Sequence, residues 1–248
     1  MKLKLIAFDL DGTLAPSKGP ISDEMAKWLK RLLDVAQVCI ISGGTEHQIR
    51  EQVLMRLPAG AKIQRLHVMP TSGAKYLRKK FGTWKTIYSE DFTEEQVESI
   101  SSMIRLAAAI HGYWPEKPYG SVIEDRGGQV TFSALGQHAP REEKEAWDPD
   151  GTKRESFRKV LSSMLPQFDV KIGGSTSIDI TKLGIDKGYG IYELMKRNRL
   201  QPGQVLFIGD RLEQGGNDYP VHRTGVKIQA VSGPHQTLAH IKNLLKFL

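Results

Sequence analysis

Three short apolar runs, at residues 5–8, 38–41 and 205–208, end abruptly in polar residues: Asp9, Ser42 and Gly209-Asp210 respectively. Continuous apolar stretches of this length fit strands buried on both faces, as in a parallel sheet. Between them the spacing turns helical. Met25, Trp28, Leu29, Leu32, Leu33 and Ala36 recur on one helical face. Thr45 followed by Gln48 has the form of a capping box opening the next helix. Strand and helix in alternation predict an α/β fold with a doubly wound, Rossmann-like parallel-sheet core. Ligands of such sheets bind beyond the carboxyl ends of the strands, where all three polar switches fall.

The middle of the chain has a different pattern. Thr93 with Gln96 predicts the start of a helix carrying Val97, Ile100, Met103 and Ile104 on one face. Strand-like pieces at 121–124 and 129–134 flank the turn Asp125-Arg126-Gly127-Gly128. Thr152 with Glu155 predicts the cap of a further helix bearing Phe157, Val160, Leu161 and Met164, and strand-like pieces follow at 169–172 and 176–181. Helices clustered with hairpins predict an inserted α+β cap at 84–184, with 1–83 and 185–248 forming the core. The chain contains no internal repeat and no low-complexity tract.

With 248 residues, 40% hydrophobic and 25% charged, the composition is that of an ordinary globular protein. No apolar stretch approaches the roughly 18 residues that span a bilayer. The first residues lack a signal peptide's apolar core and cleavage site. The single cysteine, Cys39, lies inside an apolar run and reads as a buried small hydrophobe. These features together predict a cytoplasmic protein with no membrane partner. The formal charge of +7 and a pI near 9.4 suit an anionic ligand. Lysines and arginines are scattered apart from short pairs such as Lys79-Lys80, with no finger, basic arm or aromatic-interleaved basic stripe. A phosphorylated metabolite is therefore the expected anion, and nucleic acid is not.

The strongest chemical signal is Asp9-Leu10-Asp11-Gly12-Thr13-Leu14, directly after the first predicted strand. Strand alternation would send the carboxylates of Asp9 and Asp11 into one pocket. Two carboxylates so placed repel each other by about 4 kcal/mol at roughly 4 Å and an effective dielectric near 20. A magnesium ion would relieve that repulsion and neutralise an incoming phosphate. A solvated turn is the plainer reading of Asp, Gly and Thr together, but its place after a buried strand of an α/β core favours a site. Ser42, in Ile-Ile-Ser-Gly-Gly, and Thr45 are both candidate hydroxyls at a strand end. Lys187 stands in the first turn of a helix carrying Ile191, Leu194 and Met195, where a cation opposes the macrodipole. A functional role would explain that placement.

Asp-x-Asp-Gly-Thr-Leu resembles the signature of the haloacid dehalogenase superfamily of phosphatases and phosphomutases. The resemblance implies that Asp9 attacks phosphorus to form an aspartyl-phosphate and that Asp11 is the general acid and base. It implies that Ser42 binds the transferring phosphoryl group, with Gly43 beside it as a substrate-binding candidate, and that Lys187 steadies nucleophile and phosphate. Gly209-Asp210 and Gly215-Gly216-Asn217-Asp218 resemble the family's acidic metal loop. Magnesium is then expected on Asp9, on the main-chain carbonyl of Asp11, on Asp210, and on Asp218 directly or through water.

The inserted segment is similar to the cap of eukaryotic-type phosphomannomutases, which implies a large cap that closes over the site and reads the sugar. Asp125 to Ser133 and Gly173-Gly174-Ser175-Thr176-Ser177-Ile178-Asp179 carry that similarity. They make Arg126, Ser177 and Asp179 substrate-binding candidates. The chain departs from that family where arginines grip the distal phosphate of a bisphosphorylated sugar: it has Lys18, Gln137 and Lys144. Lysine supplies a point charge without bidentate geometry, and glutamine supplies none. A weakened grip favours escape and hydrolysis. The expected activity is therefore a magnesium-dependent phosphohydrolase acting on a phosphorylated sugar, with phosphomannomutase activity as the alternative. A non-catalytic phosphosugar or nucleic-acid binder is a more distant alternative. Relatives with this cap often dimerise through it, so a homodimer is a further expectation.

Overall fold

Strand β1 (Leu5–Phe8) alternates its side chains between two apolar clusters, and that alternation organises the larger part of the molecule. Ile6 and Phe8 enter one cluster, Leu5 and Ala7 the other. The computed structural model describes residues 2–248. In chain order β1 is followed by α1 (Asp23–Val35), β2 (Gln37–Ile41), α2 (Glu46–Gln52), β3 (Leu66–Met69), β4 (Lys75–Lys80) and β5 (Thr83–Ser89). Next come α3 (Glu94–His111), β6 (Ile123–Asp125), β7 (Val130–Ser133), α4 (Arg141–Trp147), α5 (Thr152–Met164), β8 (Phe168–Ile172) and β9 (Ser177–Lys182). The chain ends with α6 (Lys187–Asn198), β10 (Val205–Gly209), β11 (Lys227–Ala230) and α7 (Pro234–Leu244). Among the described residues, no helix is long and apolar enough to cross a membrane.

The chain forms two compact units. One contains Asp186–Leu248 and the N-terminal stretch ending at Ser89, and the other is Glu90–Ile185. The first unit is built on a seven-stranded sheet in the order β11-β10-β1-β2-β3-β4-β5. Its first four pairings are parallel and the last two antiparallel. Val38 and Ile40 join Ile6 and Phe8 beneath α1 and α7, whereas Cys39 and Ile41 join Leu5 and Ala7 beneath α6. Both faces of the central strands are thus buried, which is why their sequences are continuously apolar. Burial also holds the Cys39 thiol well above its usual pKa.

The expected insertion boundary at 84 is corrected to 90. β5 pairs along its length with β4 through a two-residue turn, Phe81-Gly82, so it belongs to the larger sheet.

The second unit is a four-stranded antiparallel sheet, β6-β7-β9-β8. One face carries Val130, Phe132, Ile178 and Ile180, packed against Ile100 and Ile104 of α3 and Phe157 and Leu161 of α5. Phe132 and Phe157 have ring centroids 5.0 Å apart. The expected Thr152 cap of α5 is also corrected: Thr152 is the first helical residue and makes no capping bond to the helix. The buried carboxylate of Asp148 does that work, accepting from the N–H groups of Lys153 (3.0 Å) and Arg154 (3.1 Å). It also pairs with Arg154 Nε at 2.7 Å, and these donors hold its carboxyl below the usual range against the opposing effect of burial.

Candidate active site

Asp9 continues the alternation of β1 by one residue, because its N–H still bonds to Ile208 O at 3.0 Å. Its side chain therefore joins the face of Leu5 and Ala7, the face covered by α6. Lys187, the first residue of α6, is 1% exposed and donates from Nζ to Asp9 Oδ1 (2.5 Å) and Asp218 Oδ1 (2.6 Å).

Two devices fix this junction. The carboxylate of Asp186 caps α6 by accepting from Tyr189 N–H at 3.0 Å. The same carboxylate receives both terminal nitrogens of Arg223, at 2.8 and 2.5 Å. Arg223 lies in the 3-10 turn Tyr219–Thr224, just after Asp218, so the segments carrying Lys187 and Asp218 are bound twice.

Asp210 follows β10, where Thr13 Oγ1 donates to its Oδ1 at 3.2 Å. Gly12 has φ of 84°, and a Cβ there would lie 2.5 Å from Asp210 Oδ2, so the turn after β1 admits only glycine. Gly209 is needed for a second reason, since its Cβ would meet Asp218 Oδ2. Asp9, Asp210 and Asp218 consequently offer carboxylate oxygens within 4.8 Å of one another.

Three carboxylates against one ammonium leave the cluster two positive charges short when all are ionised. Burial, then the neighbouring Asp218 and Asp210, push the Asp9 carboxyl up to about 8 despite the opposing pull of Lys187. Burial and Asp218 raise Asp210 as well. Burial works against the charge on Lys187, but Asp218 and Asp9 outweigh it and hold the ammonium charged. Asn217 adds a buried Oδ1 with no hydrogen-bond partner next to Asp218. Converging hard oxygens with this charge deficit fit a divalent cation of the magnesium or calcium type.

The Asp11 carboxylate is held by a different set of partners from that of Asp9. Asp11 is not among the three converging carboxylates. Its Oδ1 accepts instead from the N–H of Lys18 (2.6 Å) and from Gln52 Nε2 (3.1 Å). Strand geometry stops at Leu10, whose carbonyl accepts from the N–H groups of Thr13, Leu14 and Ala15 in a tight turn. Alternation no longer applies beyond that point.

Ser42 is buried at the end of β2, where its Oγ accepts from Gly44 N–H at 3.0 Å, with Gly43 between them. Thr45 is fully used as the cap of α2, with its Oγ1 accepting from Gln48 N–H and its N–H donating to Gln48 Oε1. Of the two candidate hydroxyls, Ser42 is the one not committed to a helix cap.

The cap candidates fall in the second unit. Arg126 pairs with Glu124 at 2.7 Å. Asp179 accepts from Thr131 Oγ1 at 2.8 Å, and Ser177 Oγ accepts from Gly174 N–H at 2.6 Å. Thr131 and Asp179 are cross-strand partners, as are Ser133 and Ser177, so these four share the polar face of the cap sheet. Lys144 Nζ donates to the backbone carbonyl of Gln137 at 2.8 Å.

Gln52, Asp186 and Arg223 belong to the site but lie outside the sequence motifs quoted above. An Asp directly before the helix that Lys187 opens is a capping signal that could have marked Asp186. The other two act across 37 and 41 residues of chain, and nothing local in the sequence marks them.

A family model described as eukaryotic phosphomannomutase matches residues 25–247. The chain is 27% identical to a phosphomannomutase of Saccharomyces cerevisiae, over 97% of this chain and 94% of that protein. It is 28% identical to one from Encephalitozoon cuniculi, over 98% and 93%. Among solved structures, the IMP-bound, N-terminally truncated IMP-nucleotidase of Plasmodium falciparum superposes with a TM-score of 0.72 at 16% identity, over 99% of this chain and 69% of that one. A Streptococcus mutans protein superposes with a TM-score of 0.68 at 20% identity, over 99% and 100%. At such identities the two structures show the fold: a Rossmann-like core with a cap.

Proposed function

This chain belongs to the eukaryotic phosphomannomutase family, and on that premise we propose that it transfers the phosphoryl group of a phosphorylated sugar, chiefly to water, with Asp9 as nucleophile. It is an enzyme of the haloacid dehalogenase superfamily, a phosphatase or phosphomutase. The observation that carries the proposal is Lys187 Nζ held between Asp9 and Asp218 in a cluster short of positive charge. A dianionic ester entering such a cluster needs further neutralisation. Asp9, Asp210 and the main-chain carbonyl of Asp11 would hold a magnesium ion, with Asp218 supporting it through water, and the ion would supply that charge. Both oxygens of Asp218 already accept protein hydrogen bonds, from Lys187 and from Arg211 N–H at 3.1 Å, which suits an outer role.

In the proposed first step an Asp9 carboxylate oxygen bonds to phosphorus. The bond from phosphorus to the sugar oxygen breaks, and that oxygen takes a proton from Asp11. In the second step Asp11 takes a proton from water, whose oxygen displaces Asp9 and releases phosphate. The Ser42 hydroxyl and Gly43 receive the phosphoryl oxygens, and Lys187 holds Asp9 in line. Arg126, Ser177 and Asp179 are the candidates for reading the sugar.

Hydrolysis is preferred over mutation because of Lys18, Gln137 and Lys144. The Lys144 ammonium is tied to the carbonyl of Gln137, and Gln137 brings no charge to a distal phosphate. The mutase reading is kept because family membership favours it. The test is mannose-1-phosphate with magnesium, with and without a sugar bisphosphate. Free phosphate as the main product supports the hydrolase, and mannose-6-phosphate supports the mutase. Asp9→Asn is expected to abolish both products. Turnover that survives Asp9→Asn removes the nucleophile assignment.

A further inference from the structure

Gln52, the last residue of α2, is a buried amide, and burial obliges it to find hydrogen-bond partners. Its Nε2 makes two bonds, to Asp11 Oδ1 (3.1 Å) and to Gly19 O (2.8 Å). Its own carbonyl accepts from Ile21 N–H at 2.9 Å. The end of α2 is thus joined at two points to the loop after β1, and the amide that joins them also touches the proton carrier. Lys18 N–H reaches the same Asp11 oxygen at 2.6 Å, from a residue held at φ of 56°. A lysine in this left-handed conformation is uncommon, and here it aims a backbone donor at Asp11.

We propose that Gln52 is a positioning residue for Asp11, fixing the rotation of its carboxyl group and assigning the transferable proton to Oδ2. Two N–H donors on Oδ1 require that oxygen to be an acceptor in both protonation states. When Asp11 is protonated, the proton therefore resides on Oδ2, and the same atom takes the proton from water later. Without Gln52, one donor remains on Oδ1 and the group is freer to rotate. Fewer encounters then find the O–H directed at the departing oxygen.

The inference rests on Asp11 acting as the acid, and the test separates the two ideas by leaving group. A hexose 6-phosphate expels an alkoxide, which needs the proton. p-Nitrophenyl phosphate expels a stable phenolate, which needs it little. The ratio kcat/KM reports the steps up to loss of the leaving group. Gln52→Met, close in shape, is expected to lower kcat/KM for the hexose phosphate roughly ten- to hundredfold, and that for p-nitrophenyl phosphate less than about threefold. Gln52→Leu, uncharged and lacking the donor, provides a second variant should the first fold poorly, and the same split is expected. Asp11→Asn serves as the reference and should show the split more strongly. Equal losses on both substrates, or no loss on either, overturn the role of Gln52 while leaving Asp11 in place. Absence of a split in Asp11→Asn, or inactivity of the unsubstituted protein on both esters, overturns the reading of Asp11 and this inference with it.

Discussion

Lys187 keeps its charge where burial opposes it, because two carboxylates lie within 2.6 Å of its ammonium. His67, in the middle of β3, meets burial in the opposite way and gives up its charge. It is fully enclosed, with Nδ1 2.6 Å from Tyr76 Oη and Nε2 2.7 Å from Gln37 Oε1. Burial, with help from Arg78, pushes its pKa down to about 3. Above pH 6.5 the imidazole is neutral in both folded and unfolded chains and gives no pH slope. Below that value the unfolded chain takes up a proton that the folded chain refuses. Stability then falls by about 1.4 kcal/mol per pH unit until about pH 3. Denaturant titrations at pH 7 and pH 5 are expected to show His67→Gln losing about 2 kcal/mol less between the two pH values than the unsubstituted protein. Equal losses would contradict a neutral, enclosed His67.

Element ends carry much of the specification above the level of single residues. The capping boxes Thr45–Gln48 and Thr93–Gln96 are local, and the helices they open, α2 and α3, were legible from those residues. The start of α5 is not legible locally, because its capping carboxylate, Asp148, lies four residues before Thr152 and reaches forward to Lys153 and Arg154. No fixed sequence offset announces a cap of that kind. Asp148→Ala is expected to cost about 2 kcal/mol, since it removes the cap and leaves Arg154 without its carboxylate. Thr152→Ala is expected to stay within about 0.5 kcal/mol. Thermal melts of the two variants compare them directly, and a larger loss at Thr152 would restore the original assignment. β3 and the β4–β5 hairpin leave no clear trace in the apolar pattern for another reason. His67, Arg78, Lys79 and Lys80 interrupt the apolar pattern there, and only pairing with neighbouring strands makes those segments extended.

At the scale of the whole molecule, the larger unit assembles a site from segments about 200 residues apart. A divalent cation would balance its acidic cluster. Magnesium at about a hundred times its dissociation constant should stabilise the protein by about 2.7 kcal/mol. Asp210→Asn is expected to lose most of that gain. Without metal the same substitution should raise Tm, because one of three mutually repelling carboxylates is gone. Scanning fluorimetry with chelator and then with magnesium reads both effects, and a Tm indifferent to magnesium would contradict the cluster as a cation site. While Asp218 stood out only by the family resemblance and Lys187 by opposing a helix dipole, sequence alone determined the three buried strands and the polar residues at their ends, Asp9, Ser42 and Asp210. Local pattern suffices there, because burial on both faces demands apolar runs and function breaks them at strand ends. Tertiary structure alone decided which carboxylates converge. The turn after Leu10 takes Asp11 away from the alternation and hands it to Gln52, while Asp218 arrives beside Asp9 through Lys187. Such contacts depend on where distant segments lie in space, and no spacing along the chain encodes that distance.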